Sequence, residues 1–144
     1  MTFPFSEDNH TSRAELEQFV RGLSEADLAL TTHDGWTIAA LLGHLAFWDQ
    51  RMVALLRRWK ANGVGEAPVD ADMINDAQQA IFRALDPRAA ADVCLSSAAE
   101  IDAELEAMSP ELYRQIQDSG VYFRFERSQH RRGHIADIRR ALGR

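Results

Sequence analysis

A chain of 144 residues, 46% of them hydrophobic, is long enough to bury one real core, and it reads as a single domain over 1–144. Sixteen Lys and Arg against 22 Asp and Glu leave a net charge of −6, which argues against general nucleic-acid affinity. No apolar run approaches membrane-span length, and the single cysteine, Cys94, excludes an intrachain disulfide.

Nearly every long segment has helical period. The first helix is expected from about Ser12 to Gly22, with Leu16, Phe19, Val20 and Leu23 as its apolar stripe. Ser24-Glu25-Ala26-Asp27 reads as a cap with a short turn, and Thr31 to Gly35 as a loop. Thr37 caps a second helix, with Trp36 and Leu41 in the positions of a hydrophobic staple. It runs to about Lys60, where Asn62-Gly63 stops it. On an ideal wheel His44 shares a largely apolar face with Leu41, Trp48 and Leu55, so His44 points inward.

The third helix starts near Asp70 or Asp72, with Met73, Ile74, Ala77, Ile81 and Leu85 as its stripe. Asp86-Pro87 restarts the chain as cap and first helical position of a fourth helix, Arg88 to Met108. Ser109-Pro110-Glu111 opens a short turn, and Gln117 to Gly120 is the last break. A final helix is expected from about Tyr122 to Leu142. The economical arrangement is an all-α four-helix bundle with short additional helices or turns.

The N-terminus lacks a basic start and an apolar stretch, so it does not read as a signal peptide. A reducing cytoplasm is the expected compartment. Cys94 lies in Ala-rich helix and reads as packing. The last 21 residues, from Arg124, carry seven Arg and two acids. They read as a solvated face that also suits the C-terminal dipole, except where an Arg shares the histidine face.

That face holds His130 and His134, four residues apart and so about 40° apart around a helix. With His44 from another helix they make a set of three imidazoles with open positions, which suits a catalytic divalent metal. The bland alternatives are a polar helix face and a hydrogen-bonded core histidine. Glu126 and Asp137 project near the same face, where either can accept an imidazole N–H or remain a surface charge. Arg127 and Arg51 can clamp a carboxylate or snorkel to solvent. Trp48, one turn beyond His44, is a core aromatic or the floor of a pocket.

Three segments resemble the DinB/YfiT-like superfamily of metal-dependent enzymes. Gly35-Trp36-Thr37, followed by Leu41, His44 and Trp48-Asp49, is similar to the start of that family's second helix. His130-Arg131-Arg132-Gly133-His134-Ile135-Ala136-Asp137-Ile138 is similar to its terminal helix. Asp72 to Ala77 is similar to an acidic segment with Asn75 found in some branches. The resemblance implies a four-helix bundle holding a divalent metal through His44, His130 and His134. It also implies a candidate role for Asn75 if the third helix faces the metal. Members with assigned chemistry include S-transferases and isomerases that use bacillithiol or mycothiol.

The expected function is therefore metal-dependent, thiol-linked S-transfer to a small electrophile, with a low-molecular-weight thiol as co-reactant. Metal-dependent hydrolysis and a non-catalytic helical metal-binding module are the alternatives. Three imidazoles accept Zn, Ni, Fe or Co. The expected partner is a small molecule, with no nucleic acid and no membrane; a homodimer stays open.

Overall fold

The computed structural model describes residues 2–144. Among them seven α-helices follow one another: α1 (Ser6–Arg21), α2 (Glu25–Ala29), α3 (Ile38–Asn62), α4 (Ala71–Ala84), α5 (Pro87–Glu106), α6 (Pro110–Ser119) and α7 (Ser128–Leu142). Among the described residues there is no β-strand, only an isolated bridge between Thr31 and Thr37. The fold is all-α, as the helical period implies.

The caps explain most boundaries. Ser24 and Asp27 form a reciprocal capping box at α2. The Thr37 Oγ1 accepts from Ala40 N at the start of α3. Asp86 and Ser109 cap α5 and α6, each with Pro in the first turn. Gly63, at φ 86°, ends α3 in a backbone shape that a β-carbon would oppose.

The bundle consists of α1, α3, α5 and α7, with α4 laid on α3. The longest packing is α3 along α5, while α1 joins α5 to α7. The contact of α3 with α7 is confined to a shorter stretch. Two apolar clusters fill the bundle. One gathers Leu16, Ile38, Leu42, Leu45, Ala98 and Ile138. The other gathers Phe3, Met52, Trp59, Ile101, Leu105 and Ile116. Buried polar groups lie near their junction, with Arg131 paired to Asp102 and Arg127 to Asp49.

Four expectations need correction. The first helix begins at Ser6, not Ser12. Residues 6–11 carry no apolar stripe, but Asn9 is buried by polar bonds instead: it accepts from Arg127 N at 2.7 Å and donates to Phe125 O at 2.8 Å.

Those same bonds shorten the last helix, which starts at Ser128 and not Tyr122. Asn9 takes up backbone groups of the segment ahead of it. Val121, Phe123 and Phe125 turn inward while Tyr122 and Arg124 stay exposed, a period of two and not 3.6. The four-residue register of His130 and His134 is unaffected.

The third correction concerns α4. Its stripe Met73, Ala77, Ile81 and Leu85 is exposed. The side that meets α3 carries Asn75, Gln78 and Phe82. An ideal Cβ on Gly43 would stand 2.7 Å from the Phe82 ring, so the bare glycine is what lets α4 approach.

The basic tail is likewise not wholly a solvated face. Arg131 is 1% exposed and bonds Asp102, Asn9 O and Ala98 O. Five guanidinium donors in a fixed fork allow such burial when acceptors surround them.

Candidate metal centre

The first half of α3 is buried on nearly every side, and His44 lies within it at 8% exposure. His130 and His134 come from the first two turns of α7. The ring centroids stand 5.3 Å (His44–His130), 5.0 Å (His44–His134) and 4.8 Å (His130–His134) apart. One ring nitrogen of each lies within 4.8 Å of the others. Among the described residues no other three His, Cys, Asp or Glu gather in this way.

The donor set fits a divalent ion. His44 Nε2 and His130 Nε2 stand 3.3 Å apart. Two imidazole nitrogens on one tetrahedral ion, each bonded at about 2.0–2.1 Å, stand about 3.3 Å apart as well. Without an ion, one ring N–H donates to the other across the same gap.

All three imidazoles are biased toward the neutral, ligating form. Burial, with help from His134, pushes His44 from the ordinary 6.5 to about 4. Burial pushes His130 further, to about 2, with the charges of His134 and Arg127 adding to it. His134 is lowered too, because burial outweighs the opposing pull of Asp137.

The outer nitrogens are treated differently. His134 Nδ1 donates to Asp137 Oδ2 at 3.1 Å, which leaves Nε2 as the unprotonated atom of a neutral ring. His130 Nδ1 stands 3.4 Å from Arg127 Nη2. His44 Nδ1 is buried with no hydrogen-bond partner. The Gln78 amide is close enough to favour the protonated ring, yet its own Nε2 and Oε1 are also buried and unpartnered.

A cavity of about 370 Å³ opens beside the histidines, lined by His44, Trp48, Arg51, Asn75, Arg124 and His130 among others. Trp48 Nε1 donates to Asn75 Oδ1 at 3.0 Å, so α4 does reach the cavity. Arg51 donates to Ala67 O at 3.2 Å, with its guanidinium 6.0 Å from the centre of the Trp48 ring. A larger hollow of about 1070 Å³ lies outside α7, between Glu15 and Arg144, and no histidine lines it.

Two expected site residues are taken up by other partners in the chain. Glu126 Oε1 accepts from Gln129 N at 3.0 Å and from the Ser128 hydroxyl, so it caps α7 and no imidazole bonds it. Arg127 does not snorkel. It is 4% exposed and its Nε and Nη2 both donate to Asp49 Oδ1.

Four residues near the site escaped sequence reasoning. Asp49 follows Trp48 in the quoted motif, but nothing marked it as the partner of Arg127. Gln78 stands one turn after Asn75, on the face of α4 that sequence patterning assigned to solvent. Tyr122 and Arg124 face the cavity from a segment expected to be helical.

The model of the mycothiol maleylpyruvate isomerase N-terminal domain matches residues 10–115. The chain belongs to that family. The domain is of the DinB/YfiT-like helical superfamily, consistent with the resemblance at superfamily level and with no specific member singled out. The matched region contains His44 and stops short of α7, so His130 and His134 join the site on the strength of geometry. No curated protein and no solved structure matches the chain.

Proposed function

We propose that this member of the mycothiol maleylpyruvate isomerase N-terminal family is a divalent-metal-dependent enzyme. Its reaction is the transfer of a low-molecular-weight thiol of the mycothiol kind to a small electrophile bearing a carboxylate. The observation that carries the reading is the cluster of three neutral imidazoles beside an arginine-lined cavity of about 370 Å³. A filled bundle would have favoured a non-catalytic module.

His44, His130 and His134 are the residues that hold the ion. When bound, a divalent ion on three neutral ligands keeps its Lewis acidity and favours the thiolate form of a thiol at neutral pH. The chain's other residues bind and orient. Trp48, fixed by Asn75, offers a flat apolar wall to an organic electrophile. Arg124 is exposed at the cavity and forms no ion pair among the described residues. With Arg51 it supplies positive charge for a carboxylate. Arg127 is withheld from that task by Asp49. Cys94 is wholly buried, and burial pushes its thiol upward, so no protein thiolate competes.

The test combines metal analysis with turnover, on protein without a His tag. The His130→Ala, His134→Ala double variant is expected to lose stoichiometric metal while keeping its helical content. Metal-loaded protein is expected to join a thiol to a carboxylated epoxide or haloarene at pH 7. His44→Ala should lose that activity and Cys94→Ala should keep it. Metal-dependent cleavage of esters or lactones without any thiol requirement would replace S-transfer by hydrolysis. Unchanged metal content in the double variant would remove the site itself.

A further inference from the structure

The α4 helix packs a mixed face on α3 and leaves its apolar face uncovered. Phe82 and Gln78 turn to α3. The other face runs through Met73, Ala77, Ile81 and Ala84, about 100–120° away around the helix. Met73 is 64% exposed and Ile81 59%, and Leu85 beside them is 46% exposed. Contiguous apolar surface of this kind marks a contact site, whereas single exposed residues do not.

The charges beside the stripe indicate what covers it. Asp72, Asp76 and Arg83 are exposed and fall on one flank of the stripe, acids toward the N-terminus and the cation toward the C-terminus. The other flank carries Ile74 and Leu85 and no charge. In an isologous pair, residue i meets j of the second copy and j meets i. When two identical helices pair antiparallel about a two-fold axis, each flank meets its own copy in reverse order. When they pair in parallel, unlike flanks meet.

We propose that α4 packs antiparallel against α4 of a second copy, about a two-fold axis near Ala77. Asp72 then lies across from Arg83 of the partner subunit, and the pairing recurs on the far side of the axis. Small Ala77 and Ala80 sit at the crossing, where backbones must approach, and the larger Met73 and Ile81 pack to either side. Parallel pairing would set Asp72, Asp76 and Arg83 against the apolar flank. Asn75 and Gln78 face away from the stripe toward α3, so the pairing leaves the histidine site intact.

Sedimentation velocity on the full chain, over micromolar to sub-millimolar concentrations, tests this. The wild type is expected to sediment as a dimer that dissociates on dilution. Ala77→Glu and Ile81→Glu are expected to be monomeric with unchanged helical circular dichroism. Asp72→Arg and Arg83→Asp should each weaken the dimer roughly three- to tenfold, the weight of two exposed ion pairs. The charge-swapped D72R/R83D double variant should recover it. A wild-type monomer throughout, or a dimer indifferent to Ala77→Glu, overturns the interface. Failure of the double variant to recover overturns the antiparallel register. Association with anionic vesicles in place of self-association would assign the face to a membrane surface and likewise overturn it.

Discussion

Asp49 receives both the Nε–H and an Nη2–H of Arg127, at 3.0 and 2.8 Å, with the two side chains only 3% and 5% exposed. The pair joins α3 to the residue that precedes α7, between the helices that carry His44 and His130. Burial raises the Asp49 carboxyl and the Arg127 charge opposes it. Breaking such a pair from one side strands a buried charge. Asp49→Ala is therefore expected to cost about 3–5 kcal/mol. A double Asp49→Leu, Arg127→Met variant should recover most of that loss. Urea unfolding of the metal-free protein reads both. A cost under about 1 kcal/mol for Asp49→Ala would mean that water already reaches the pair.

The groups behind the imidazoles should control metal affinity more than stability. Asp137 fixes the His134 tautomer through Nδ1, and its side chain is 38% exposed, so its removal leaves no cavity. Asp137→Ala is expected to weaken metal binding about 10–100-fold. Gln78→Leu is expected to do the same at His44, because the Gln78 amide is the polar group beside the buried, unpartnered Nδ1. Chelator competition measures each affinity. Wild-type affinity in both variants would show that the rings hold their orientation by packing alone.

The histidines and the bundle were legible in the sequence because each rests on local chemistry. The Thr37 cap and the apolar run to Ala46 place His44 inward, and four-residue spacing aligns His130 with His134 whatever the exact start of α7. What escaped notice depends on distant partners. Asn9 ties Phe125 O and Arg127 N through bonds spanning more than a hundred positions, which holds the segment ahead of α7 out of the helix, and no helical wheel contains that. The face of α4 that packs was misassigned because apolar content favours Met73 and Ile81. What decides the face is the space Gly43 leaves for Phe82, a fact about two helices together.

Acid should destabilise the metal-free protein in a defined window. His44 and His130 have folded values pushed below the ordinary 6.5, to about 4 and about 2. Below pH 6.5 the unfolded chain takes up protons that the folded chain refuses, so stability falls as pH falls. Above that value the histidines contribute no slope. The two groups together should remove roughly 2–4 kcal/mol between pH 7 and pH 5. Urea unfolding at several pH values, compared with the His44→Ala, His130→Ala variant, isolates their share. Equal slopes in the two proteins would show that the rings protonate without cost in the folded state.

Gly43→Ala probes the approach of α4 to the site. In an open helix the change would stabilise by up to about 1 kcal/mol. Here the new methyl would meet Phe82 Cδ1 at 2.7 Å and Cγ at 2.8 Å, closer than packed carbons allow. Either the ring turns or α4 moves outward, at a cost of about 1–3 kcal/mol. Outward movement of α4 also withdraws Gln78 from His44 and Asn75 from Trp48. The variant is therefore expected to melt at lower temperature and to bind metal less tightly. Trimming the obstacle in a Gly43→Ala, Phe82→Leu double variant should return part of both, because the smaller side chain makes room for the methyl. Thermal unfolding and chelator competition on the same preparations give the two readouts. A single variant that melts higher than the wild type, with unchanged metal affinity, would mean that α4 does not need the bare glycine.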